Sequence, residues 1–248
     1  KLDVNDKGEV KPEKEHVHHI VVAPETSADN TSLIKGAYVL EMGGKDLTLT
    51  GKTTGEAKEA KGIEAVGGAV IVKDAGNIVI QTEANGNDGK ASAIFASGVG
   101  NDVTIETTKG SVVELKANDS DNAHGVLHAE GKANVTIDGQ VKIKDTDGKD
   151  AVKVGEGSTV NIGGGEIGDK GGVAFNITEG GKIKINEDGD EKVVINGKIV
   201  FGVAKPAAEE QAAPVMMFMS RRIFVPDDRS FINLTDGDVL NDSVEYQG

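Results

Sequence analysis

The sequence has no cysteine and no tryptophan, and only two tyrosines, six phenylalanines and five prolines in 248 residues. Without cysteine there is no disulfide framework, no thiolate metal site and no thiol nucleophile. With aromatics at 3%, the interior must be built from Val, Ile, Leu and Ala, which suits thin β layers better than a globular core anchored by rings. No apolar run is long enough for a membrane-spanning helix. Positive charge is also short: 27 Lys and Arg against 41 Asp and Glu give a formal charge of −14. That balance argues against nucleic acid, whose binders replace phosphate counterions with Lys and Arg.

What the chain has in quantity is glycine, 34 in all, and a phrase that recurs. Over residues 36–202 a short apolar strand, a glycine or polar turn and a second alternating strand return six times, starting at Gly36, Gly68, Ser92, His124, Asp150 and Gly172. Recurrence at irregular intervals of 22 to 32 residues is the signature of a solenoid. The second strands align as Leu47-Thr48-Leu49, Ile78-Val79-Ile80, Val103-Thr104-Ile105, Val135-Thr136-Ile137, Val160-Asn161-Ile162 and Ile183-Lys184-Ile185. Successive side chains on a strand point to opposite faces, so the outer pair of each triplet should face inward and the middle residue outward. Five of the six middle residues are polar, as that arrangement requires. First strands align at Val39, Val70, Phe95, Leu127, Val152 and Phe175, and third strands show at 113–115, 141–143 and 193–195. Three strands per turn, with turns of unequal length, predict an all-β fold. The expectation is a right-handed parallel β-helix, a β-solenoid of about six coils with an N-terminal cap and a non-repeating C-terminal tail.

The organisation expected is a charged lead and cap over residues 1–35, the parallel β-helix over 36–204, and a linker and extended C-terminal tail over 205–248. The tail concentrates apolar side chains outside the repeat: Met216, Met217, Phe218, Met219, Ile223, Phe224, Phe231 and Ile232. These are the candidate assembly or docking residues, because leaving them in water forgoes about 1.5–3 kcal/mol for each side chain that could be fully buried. The open backbone edge of the last coil, near 195–201, is their natural receptor, on the same chain or on a neighbour.

Chemical motifs fail on context. GGGEIG at 163–168 fits a dinucleotide fingerprint, but a strand rather than a helix follows it. TGKTT at 50–54 lacks the first glycine of a phosphate loop, where Asp46 stands. His16, His18 and His19 offer imidazole ligands in a charged lead and read as solvent-exposed. His124 and His128 flank a rung, where surface-facing positions explain them as well as a ligand role does. The acidic turns at 145–150 and 187–191 lack the spacing of a calcium loop. Outward positions carry Thr, Asn and Lys rather than paired carboxylates, which disfavours polysaccharide cleavage. No catalytic residue, metal site or cofactor is read from the sequence.

In the phrases VGEGSTVNIGGGEI from Val154 and AEGKANVTIDGQVKIKD from Ala129, residues 36–202 resemble the β-helical passenger domain of bacterial autotransporters and related surface adhesins. The resemblance implies export to the cell surface and a role in adhesion or as a stalk. It departs from that family at the end, where a short tail replaces membrane-barrel strands. The expectation is a non-enzymatic bacterial surface or extracellular structural and adhesive module whose partners are a host or bacterial surface component, or copies of itself. The alternatives are a fibre subunit assembled by donation of a terminal strand, and a β-helix polysaccharide-active enzyme.

Overall fold

The computed structural model describes residues 9–10, 25–26, 30–53, 59–84, 89–119, 124–144, 150–185, 192–202, 220–225, 229–235 and 238–246. Every regular element among them is a strand. The chain winds over three faces in a fixed order, and inside the stack each strand pairs in parallel with the strand one turn before and one turn after. The fold is the parallel β-helix that the repeats predict.

The first face stacks residues 30–36 and 59–65, then Lys90–Ser97, Leu127–Glu130, Val152–Val154, Val173–Ile177, Lys198–Phe201 and Val244–Tyr246. The second face stacks Glu9–Val10, residues 38–41 and 70–73, Val103–Thr107, the first halves of Asn134–Ile143 and Thr159–Ile167, Lys182–Ile185 and Ser230–Thr235. The third carries Glu25–Thr26, Leu47–Thr53, Ile78–Ala84, Val112–Asn118, the second halves of the same two long strands, Val193–Ile195 and Val239–Leu240. The one antiparallel pair among the described strands joins Ser220–Val225 to Ser230–Thr235 and closes the open edge of the second face.

Like residues stack in the interior. On the first face Ile34, Ile63, Ile94, Leu127, Val152, Phe175 and Ile199 follow one another in register and are buried. β-Branched side chains fit this pleated, close-stacked surface, and each buried one contributes about 1.5–3 kcal/mol. The expected alternation holds: Val103, Val135, Val160 and Ile183 are completely buried, while Thr104, Thr136, Asn161 and Lys184 between them and their partners are partly exposed. Polar outward neighbours pair along the stack, as where Asn161 Nδ2 donates to Thr136 Oγ1 at 3.0 Å.

Two features differ from the sequence reading. The triplets Leu47-Thr48-Leu49 and Ile78-Val79-Ile80 lie on the third face, whereas the other four lie on the second. The same slip moves Val39 and Val70 to the second face and leaves the other first strands on the first, where Phe95 stands one place out of the expected row because Leu127 pairs with Ile94. Every face uses the same apolar-polar-apolar phrase, so sequence alone does not distinguish them. The stack also runs beyond the six repeats. Residues 30–36 supply a rung ahead of them, and residues 230–246 of the tail supply one more complete turn, paired in parallel on all three faces.

The glycine run at 163–168 lies within the strand Thr159–Ile167, where it turns the corner between the second and third faces. At Gly165, with φ +113°, an added Cβ would sit 2.0 Å from the Val141 carbonyl oxygen of the preceding coil. These glycines serve close stacking of backbone on backbone.

Candidate functional site: a buried polar patch on the first face

Of the expected docking residues, Phe231 and Ile232 pair with Lys182 and Ile183 of the chain's own solenoid and are 8% and 0% exposed. Phe224 pairs through its backbone with Phe231 across the terminal hairpin, and Ile223 packs half-buried against the core. Tyr246 stacks on Phe201 with ring centroids 5.6 Å apart. Met216, Met217, Phe218 and Met219 lie outside the described residues, as do His16, His18, His19 and, apart from Asp150, both acidic turns. Asp150 Oδ2 accepts a hydrogen bond from Asn176 Nδ2 at 2.7 Å.

The densest polar constellation was not anticipated. On the first face the early rungs are long, and their pairing runs from Lys61↔Ser92 to Ile63↔Ile94, passing over Gly62. A Cβ on Gly62 would lie 2.2 Å from Ile80 Cγ2 and 2.4 Å from the Ala93 carbonyl oxygen. The glycine therefore takes an inward position beside Ile63, and the strand bends there. Lys61 and Glu64, on either side of the bend, project outward together, and Lys61 Nζ reaches Glu64 Oε1 and Glu59 Oε2 at 2.9 Å each. Lys35 Nζ lies 3.1 Å from Glu64 Oε2, and Ser32 Oγ donates to the same oxygen at 2.6 Å. Burial alone would raise the Glu64 carboxyl, but the hydrogen bonds from Ser32, Lys61 and Lys35 outweigh it and hold it at about 2. Burial alone would lower the Lys61 ammonium; its bonds to Glu64 and Glu59 reverse that and raise it.

The row continues outward through Phe95 to His128, which follow Glu64 in register. Lys61 Nζ sits 4.0 Å from the centre of the Phe95 ring, a cation–π contact. His124 stacks on Phe95 at 5.0 Å, His128 meets it edge-on at 5.2 Å, and the two imidazoles meet edge-to-face at 4.9 Å. His128 is buried at 4% exposure, although it occupies an outward position. Its Nε2 lies 3.3 Å from Glu130 Oε2. The hydrogen bond from His128, more than any other influence, holds the Glu130 carboxyl at about 2 against burial. His128 Nδ1 is buried without a hydrogen-bond partner.

The patch can thus hold a protonated lysine rigidly and fix one imidazole by a carboxylate. Among the described residues no group of three or more His, Asp or Glu side chains converges as a metal cage, and no helix is long and apolar enough to cross a membrane. Comparison with known proteins finds no matching family model, no matching curated protein and no matching solved structure.

Proposed function

We propose that this chain is a non-enzymatic structural and adhesive β-helix module of a bacterial surface or extracellular assembly. The observation that carries this reading is the unbroken stack. All three faces keep parallel register into the final turn, so that the tail extends the rod instead of leaving it. A rod of this construction holds its outward side chains in fixed rows, which suits a spacer or a repetitive contact surface. Its likeness to autotransporter passengers in repeat style points the same way. Electron microscopy and fractionation of native material test it. Rods in the surface or extracellular fraction that bind a cell or matrix surface support the reading; compact particles confined to the cytosol sink it.

A second reading is a fibre subunit whose terminal coil is exchanged between copies. It draws on the same pairing, because a neighbour's residues 220–246 could make identical backbone bonds to the coil at 182–201. Long filaments in the same images would favour it.

A further inference from the structure

We propose that His124 and His128 form a two-imidazole site for a divalent transition-metal ion on the first face, with Glu130 as the carboxylate that orients His128. Metal-ligating histidines characteristically give their second ring nitrogen to a carboxylate, which fixes tautomer and ring angle and raises ligand basicity. His128 has that arrangement. With Nε2–H directed to Glu130 at 3.3 Å, the neutral ring carries its lone pair on Nδ1.

That Nδ1 is buried and makes no hydrogen bond, a state that costs free energy in a protein interior unless something accepts the lone pair. A second imidazole stands beside it, that of His124, with the two ring centres 4.9 Å apart. Phe95 packs against both rings and holds them in place. His124 is the more exposed of the two and gives the site its side toward solvent.

The donor set selects the ion. Two neutral nitrogens suit Zn²⁺, Ni²⁺ or Cu²⁺ and are poor ligands for Ca²⁺ or Mg²⁺, which require oxygen. Among the described residues no third His, Asp or Glu joins the pair, so two imidazoles carry the affinity and binding should be reversible rather than structural. The Lys61 ammonium on the Phe95 ring does not oppose the ion with its full charge, since Glu59 and Glu64 each meet it at 2.9 Å.

The test uses the full chain with His16, His18 and His19 changed to Ala, because those residues offer imidazoles of their own. Long-range ¹H–¹⁵N spectra should show His128 protonated on Nε2 without metal. Titration with Zn²⁺ should then saturate near one equivalent, with the Nδ1 resonance moving. His124→Gln, at a half-exposed position, should fold and weaken binding at least about tenfold, and Glu130→Gln should weaken it by roughly ten- to a hundredfold. An Nδ1–H tautomer, an absence of saturable binding, or binding unchanged by His124→Gln each overturns the site.

Discussion

Lys61 and Glu64 are three residues apart on one strand, a spacing that ordinarily sends side chains to opposite faces, yet their side chains meet outward at 2.9 Å. Gly62 is the reason: it occupies an inward position hard against Ile80 and the Ala93 carbonyl, so both flanking polar groups emerge on the same side. One absent side chain in the core therefore creates a buried ion pair on the outward side of the strand.

Substituting that glycine should undo both. In Gly62→Ala the new methyl overlaps Ile80 Cγ2 and backbone of the next coil, and overpacking of this kind costs about 1–3 kcal/mol. Lys61→Ala leaves Glu64 with Lys35 and Ser32 but strips the patch of its central cation, and should cost about 3 kcal/mol. Chemical denaturation of both variants checks this. If either matches the wild type within about 0.5 kcal/mol, the bend does not hold the patch together.

The same carboxylate sets an acid limit. Glu64 is held at about 2 in the folded chain, below the roughly 4.3 of an unfolded glutamate. Its contribution to stability is therefore complete above the unfolded value and is lost as pH falls from about 4.5 through 2. After allowance for solvent screening this is on the order of 1–3 kcal/mol. Glu130, whose side chain is 35% exposed, adds less in the same window. Unfolding free energies measured from pH 6 to pH 2 should fall less steeply in Glu64→Gln than in the wild type, and parallel slopes would show that the pair is not coupled to folding.

The fold was legible because alternation is local. Val135 and Ile137 face inward by the strand's own period, and nothing distant is needed to see it. The phase of the first two repeats was not legible, since Leu47-Thr48-Leu49 on the third face reads the same as Val103-Thr104-Ile105 on the second. Nor was the patch. The bend at Gly62 depends on Ile80 and Ala93 from other strands, and His128, at an outward position, meets the Phe95 ring of the preceding coil and the His124 ring four residues before it. Its traces in the sequence are slight: Glu59, Lys61 and Glu64 close to a glycine in one strand, and the pair His124 and His128 flanking a rung. The tail carries the alternation in Phe231-Ile232-Asn233-Leu234, but without the turn that opens each repeat, so its place in the stack emerges only from the pairing with Lys182–Ile185.

The alternation itself makes a sharp comparison. Val135 is fully buried, so Val135→Asp places an unpaired carboxylate in the core and should cost several kcal/mol, of order 2–7. Thr136→Lys on the outward side forfeits the hydrogen bond from Asn161 and should cost under about 1 kcal/mol. Thermal melts that lose equally in the two variants would contradict the register.

A polysaccharide-active enzyme would need an acid and a base placed on either side of a glycosidic bond. Glu64 and Glu130 are each tied to cations or imidazole and held ionised, which suits neither to donate a proton near neutral pH. Incubation with a panel of acidic and neutral polysaccharides should release no reducing ends, and one active polymer would establish the enzyme.

Removing residues 206–248 should strip the cap from the second face and make the rod's end more adhesive. The last turn satisfies the backbone edges of Lys182–Ile185, Val193–Ile195 and Lys198–Phe201 at once, and its Ile232 and Phe231 cover Ile183 and its neighbours. Without it, three unpaired parallel strands and the Phe201 ring lie open to any other chain, a template for edge-to-edge pairing. Light scattering at several concentrations should therefore find the full chain monomeric and the truncated chain associating, with a lower melting temperature. A milder variant separates pairing from simple loss of chain. Ile232→Asp keeps the tail's length but puts a carboxylate where the side chain is fully buried, and should give the same association in part. If copies exchange the coil, the outcome inverts: the full-length protein associates and the truncation abolishes it. A truncated chain that stays monomeric with unchanged stability would mean that residues 220–246 do not stack on this solenoid at all.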